Sequence, residues 1–104
     1  MTDRELLELA AKAAGYTLDR HTQKPWAYCL GGVEWNPLTD DGDALRLAVA
    51  LRMLVDDIRV GYMAGNIVAA LSEVACYESR NPDPYAATRR AIVRAAAETG
   101  KAMP

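Results

Sequence analysis

Four arginines in the C-terminal part of the chain are candidates for binding a phosphate or carboxylate group of a partner. Arg80 lies in a polar segment, and Arg89, Arg90 and Arg94 follow it within a predicted helix. Arg90 and Arg94 are four residues apart, so a helix places them one turn apart on one face. Guanidinium groups bind phosphates and carboxylates. These four arginines are therefore the candidate partner-binding surface, with a solvated helix face as the alternative.

The overall charge favours a protein partner over nucleic acid. The chain carries 12 Lys and Arg against 14 Asp and Glu, a net charge of −2, so it has no global basic field. No aromatic residues interleave with the arginines in the way that stacking on single-stranded nucleic acid requires. We expect an acidic or other protein partner, with nucleic-acid association through the arginine face of the C-terminal helix as the alternative.

The sequence contains no recognisable catalytic constellation. His21 is the only histidine, and it lies in a polar loop without an adjacent Ser or Cys nucleophile. Cys29 and Cys76 lie far apart in strand-like segments and form no CxxC motif. We therefore expect two structural thiols in a reducing compartment and a protein that is not an enzyme.

Metal and cofactor sites are not expected either. Asp40, Asp41 and Asp43 resemble a calcium loop only loosely, because Gly42 comes too early and no Glu follows at the required distance. Capping of the following helix explains these carboxylates. Gly31-Gly32 precedes no helix N-terminus, so it predicts a turn rather than a phosphate-binding loop.

Capping and turn signals predict three helices. Thr2 and Glu5 form a capping-box pattern, and Gly15 ends the first helix. The second helix is expected from about Asp40 or Asp41 to Met53, with a wide apolar stripe. The third is expected over about 84–100, where a proline suits the first turn.

The predicted strands lie between the helices in two pairs. Trp26–Trp35 alternates around Gly31-Gly32 and predicts a tight hairpin, with a single strand containing a glycine bulge as the alternative. Ile58–Tyr62 alternates as a strand. Ile67–Tyr77 is interpreted as one further strand, although Ala69–Glu73 in its middle has helix-forming residues.

These elements predict one α/β (α+β) domain over residues 1–104, with the order α-β-β-α-β-β-α. About four mainly antiparallel strands would form one small sheet packed by three helices. A hydrophobic fraction of 51% and a charged fraction of 25% are ordinary globular values. If the helices cover both sheet faces, the strand aromatics form the core. If they cover one face, the aromatics on the other are a candidate binding platform.

Both later helices follow an Asn-Pro dipeptide, at Asn36-Pro37 and Asn81-Pro82. Proline disfavours the helical conformation of the residue before it, so each dipeptide forms a corner from which the next helix starts. We expect the two helices to leave the sheet in the same way and to pack against it similarly.

The residues around these corners, together with the first and last helices, resemble those of a known protein family. The first helix ending in Gly15-Tyr16, the run Trp35–Leu45, and the Ala-rich helix after Asp83-Pro84 resemble the phage alpha-beta-alpha sandwich domain family of small phage and prophage proteins. The resemblance covers roughly Leu6 to Gly100, except Thr17 to Pro25. It implies a phage or prophage origin, a sheet sandwiched between helices, and no assigned activity, so no catalytic residue is implied.

The expected role is a phage accessory protein that binds a host or phage protein in the cytoplasm of the bacterial host cell. No apolar run approaches the roughly 20 residues of a membrane helix, and the N-terminus lacks a signal pattern, so no membrane partner is expected. Self-association into a homo-oligomer stays open, since small α/β domains often hide a sheet edge by self-pairing.

Overall fold

Three helices and six strands make up the chain in the computed structural model, which describes residues 1–104. The strands form two separate antiparallel sheets, with orders β1-β2-β3 and β4-β5-β6. In chain order the elements are α1 (Asp3–Ala14), β1 (Asp19–Arg20), β2 (Tyr28–Leu30), β3 (Val33–Trp35), α2 (Asp41–Ala50), β4 (Leu54–Asp57), β5 (Asn66–Leu71), β6 (Val74–Ser79) and α3 (Pro84–Ala102).

The α+β class and the three helices are confirmed, and helix starts follow their caps closely. Thr2 caps α1 by accepting the Glu5 N–H, and Gly15 ends the helix with a φ of 73°. Asp40 caps α2, and Asp83 caps α3 by accepting backbone N–H groups of its first turn. These side chains satisfy helix N–H groups that have no partner inside the helix.

The prediction of one sheet of about four strands needs correction. The chain forms two sheets of three strands, and the element order is α-β-β-β-α-β-β-β-α. The predicted hairpin at 26–35 is present as β2 and β3, which pair with Leu30 opposite Val33. The additional strand β1 has only two residues and pairs Asp19 with Cys29.

The third predicted strand, Ile58–Tyr62, is wrong. Helix α2 ends at Ala50, earlier than Met53, and Arg52 turns the chain with a φ of 54°. Strand β4 therefore begins at Leu54, and residues 58–65 form the loop that connects it to β5. Local alternation missed β4 because its place is fixed by pairing with β5 across that loop.

The fourth predicted strand, Ile67–Tyr77, is a hairpin. Ser72 adopts a φ of 55° and turns the chain, so that Leu71 pairs with Val74. The helix-forming residues in its middle therefore occupy the end of β5 and the turn. One predicted strand thus becomes two neighbouring strands of the second sheet.

Helix α3 is the centre of the packing. It lies along α1 and contacts α2, β5 and β6, whereas the main packing partner of α2 is α3 rather than a sheet. The two helices that follow Asn-Pro corners therefore pack differently. Alanines of α3 are almost fully buried, including Ala91, Ala95 and Ala96, and their small side chains let the neighbouring elements approach closely.

Candidate functional site

The predicted arginine site does not form a single cluster. Arg94 donates to the Glu78 carboxylate and, at 2.9 Å, to the Tyr77 carbonyl, so it joins α3 to β6. Arg80 follows β6, and its Nε donates at 3.1 and 3.2 Å to the two carboxylate oxygens of Asp57 on β4. These two arginines therefore hold groups of the second sheet and of α3 together.

The other two arginines contact different elements. Arg89 donates to the Leu38 carbonyl at 2.8 Å and to Asp41 at 2.7 Å, which joins α3 to the start of α2. Arg90 lies 3.3 Å from Asp3 at the start of α1. Each predicted arginine thus has an intramolecular carboxylate partner. Partner binding by these arginines stays a prediction.

The face of the second sheet opposite α3 is an exposed surface that sequence analysis did not locate. Residues directly opposite in antiparallel strands point to the same face. Ala69 pairs with Cys76, and both lie in the core that α3 completes. Val68 and Tyr77 form the neighbouring pair. Because successive side chains of a strand point to opposite faces, these two point away from α3.

Strand β4 extends this surface. Leu54 pairs with Ala70, and Asp56 pairs with Val68, so all four lie on the same side of the sheet. Leu54 is 64% exposed and Tyr77 is 43% exposed, whereas Val68 between them on β5 is buried. We call this surface the open face, and its residues are Leu54, Asp56, Val68, Ala70, Ala75 and Tyr77.

The open face ends at an unpaired strand edge. All four residues of β4 are exposed, and β4 pairs only with β5. Asp57 is held by Arg80, whereas Asp56 takes part in no ion pair. Charged residues on an edge strand oppose uncontrolled pairing with other chains. The open face is therefore apolar at its centre and negatively charged at this edge.

The remaining chemically interesting residues have structural contacts. The Nδ1 atom of His21 accepts the N–H groups of Gln23 and Lys24, each at 3.1 Å, and so closes a turn. Burial raises the pKa of the Cys76 thiol, which disfavours the reactive thiolate. No group of three or more His, Cys, Asp or Glu side chains is arranged to hold a metal ion.

The acidic residues at the start of α2 accept hydrogen bonds from backbone N–H groups. Asp40 accepts the Asp43 N–H at 2.8 Å. Asp43 is buried, and its carboxylate accepts the Asn36 N–H at 2.9 Å and a hydrogen bond from Arg46 at 2.8 Å. These contacts fix the corner before α2 and use the carboxylates that a metal loop would need.

Sequence analysis also missed a charged contact between α1 and the first sheet. The Tyr28 hydroxyl donates to Glu8 at 2.6 Å, and the Arg4 guanidinium lies 5.5 Å from the centre of the Tyr28 ring. The hydrogen bond from Tyr28 lowers the pKa of Glu8. Burial, followed by the contact with Glu8, raises the pKa of Tyr28. The contact joins residues 20 positions apart, so no local pattern indicates it.

No helix has both the length and the apolar composition that crossing a membrane would require. No protein-family model, no curated protein and no solved structure matches this chain.

Proposed function

We propose that this protein is a non-enzymatic interaction module that binds a protein partner through the open face of the second sheet. The observation that carries the proposal is the one-sided packing of this sheet, which leaves Leu54 and Tyr77 exposed beside Val68 and Ala70. Contiguous exposed apolar surface is typical of protein-binding sites, and Tyr is enriched among the residues that dominate binding energy.

The charge at the edge of this surface defines the kind of partner. Asp56 is exposed and has no ion pair, so a Lys or Arg of the partner can bind it without displacing an existing contact. Charge complementarity at an interface rim contributes to specificity and to the association rate. The partner surface should therefore be apolar with a basic group at its edge, and a phage origin would make it a host or phage protein.

Affinity capture from bacterial lysate, with and without nuclease, tests the proposal. Tyr77→Glu places a charge on the open face beside Val68 of the central strand, where it would be buried against the partner. Val33→Glu is the matched control, because Val33 is exposed on the first sheet. We expect one partner to be captured by the wild type and by Val33→Glu, and to be lost with Tyr77→Glu, whether or not nuclease is present.

Two results would contradict the proposal. Equal capture by wild type and Tyr77→Glu would exclude the open face as the binding surface. Capture that disappears with nuclease would favour nucleic-acid association through Arg80, Arg89, Arg90 and Arg94. Circular dichroism of both variants establishes that each one is folded before the comparison is made.

A further inference from the structure

A second apolar surface lies between α2 and α3, and the open face shares no residue with it. It is a groove of about 400 Å³, and Ala44, Leu45, Tyr85 and Ile92 form its apolar lining. The same groove is bordered by Asp41, Thr88 and Arg89. Asp41 and Arg89 form the ion pair between the two helices at this position.

Helix α2 presents an apolar stripe to solvent beside this groove. Leu45 and Val49 are four residues apart, so they lie on the same side of the helix. They are 63% and 67% exposed, and Tyr85 at the start of α3 is 69% exposed. The outer side of a helix in a monomeric protein normally carries polar residues. This stripe therefore lacks a packing partner within the chain.

The charges at the two ends of α2 have opposite signs. Asp41 lies in the first turn and is exposed. Arg52 follows the C-terminus of the helix, is exposed, and takes part in no ion pair. If a second α2 packs antiparallel to the first, the acidic end of each helix therefore lies against the basic end of the other.

We infer that a second copy of this chain docks on the Leu45–Val49 stripe beside this groove, with the two α2 helices antiparallel about a two-fold axis. Leu45 of each copy then contacts Val49 of the other, and Asp41 of each copy lies at the end of α2 that carries Arg52 of the other. A two-fold interface requires a surface that is complementary to itself, and this stripe meets the requirement in both apolar contacts and charge.

The exposed edge of β4 is a poorer surface for a second copy. Antiparallel pairing of β4 with itself would place Asp56 and Asp57 of both chains within one short ribbon. Like charges on paired strands are destabilising. The helical surface is small, so the dimer is expected to be weak and to dissociate on dilution.

Sedimentation equilibrium over a wide range of protein concentrations tests this inference. The wild type is expected to shift from monomer to dimer as concentration rises. Leu45→Glu should raise the dissociation constant by about tenfold or more, because each new carboxylate would be buried against the apolar Val49 of the other copy without a partner charge. Leu54→Glu is the matched control on the open face and should leave the dissociation constant unchanged.

A charge swap tests the orientation of the two helices. Arg52→Asp is expected to weaken the dimer, and adding Asp41→Lys in the same chain is expected to restore it, because both end contacts are then reversed. Asp41→Lys also removes the intramolecular ion pair with Arg89. Thermal unfolding of each variant measures the resulting change in stability. Val49→Glu replaces Leu45→Glu should the latter fail to fold.

The inference is overturned if the wild type stays monomeric at the highest concentration measured. It is also overturned if Leu45→Glu and Val49→Glu dimerise like the wild type, or if Leu54→Glu alone abolishes the dimer. The last result would assign self-association to the open face. Loss of partner capture with Tyr77→Glu is a separate result, so the two proposals can fail independently.

Discussion

At the scale of single residues, the contact between Glu8 and Tyr28 gives the fold a dependence on pH at both ends of the range. The hydrogen bond from Tyr28 lowers the pKa of Glu8 below its ordinary value of 4.5. The stabilisation from this carboxylate is therefore present above about pH 4.5 and is lost as the pH falls through the lowered pKa. Burial raises the pKa of Tyr28 above 10.0, so its contribution is present below pH 10.0 and is lost as the pH rises further.

Tyr28→Phe should remove the hydrogen bond to Glu8 and flatten this dependence. We expect the wild type to have the higher free energy of unfolding near neutral pH, and its advantage over Tyr28→Phe to shrink below about pH 4.5 and above about pH 10. Urea unfolding of both proteins at a series of pH values measures this difference. Tyr62→Phe, at an exposed loop position, is the control and should show a constant difference. If the difference in free energy of unfolding between the wild type and Tyr28→Phe were also constant with pH, the pH dependence would not come from the contact between Glu8 and Tyr28.

At the scale of elements, the crossing of α1 and α3 depends on the absence of a side chain at Gly100. A Cβ atom at this position would lie 2.0 Å from the Leu9 carbonyl oxygen and 3.3 Å from the Ala13 nitrogen, which are backbone atoms. Backbone of a packed helix cannot move away as a flexible side chain can. The two helices therefore require glycine here, although Ala is intrinsically the better helix former.

Gly100→Ala should lower the free energy of unfolding by about 1–3 kcal/mol, because the helices must separate to admit the methyl group. Gly42→Ala in α2 is the matched control. A Cβ atom there would lie 3.1 Å from the Arg46 guanidinium, which can move aside, and 3.2 Å from the Asp40 carboxylate that caps the helix. No backbone atom is approached this closely, so a change of at most about 1 kcal/mol is expected. Urea unfolding measures both variants. Stabilisation by Gly100→Ala would show that the crossing tolerates a methyl group.

The helices could be predicted from the sequence because their signals are local. Thr2 and Gly15 act on backbone groups within a few residues, and each of these capping residues identified one helix end. The strands could not be predicted to the same degree, since β4 is defined by pairing with β5 rather than by its own alternation. The number of sheets depends on which strands meet, which short-range periodicity does not encode.

The candidate sites likewise combine features that are local in sequence with features that depend on long-range contacts. Arg90 and Arg94 lie four residues apart on α3, as the predicted third helix implied, but the carboxylates that pair with them lie on α1 and β6. The open face requires the registers of β4, β5 and β6 before Leu54 and Tyr77 can be placed together. Neither partner carboxylates nor sheet faces follow from a helix or strand considered alone.

At the scale of the whole molecule, one hydrophobic core joins two sheets that share no strand pairing. The core contains Tyr28 and Trp35 of the first sheet, Ile67 and Cys76 of the second, and residues of all three helices, with Val93 of α3 among the most buried. A contiguous core of this kind favours cooperative unfolding, because the buried side chains of both sheets and of all three helices belong to one cluster.

Unfolding by urea should therefore be a single transition in which both sheets are lost together. Trp35 is buried and lies edge-on to Tyr16 at 6.0 Å between ring centres, so its fluorescence reports the first sheet. Trp26→Phe removes the exposed second tryptophan and leaves Trp35 as the only one. In that variant the fluorescence transition and the far-ultraviolet circular dichroism transition, which reports mainly the helices, should have the same midpoint. A fluorescence midpoint at lower urea would show that the first sheet separates from the core before the helices unfold, and that the two sheets unfold as independent units.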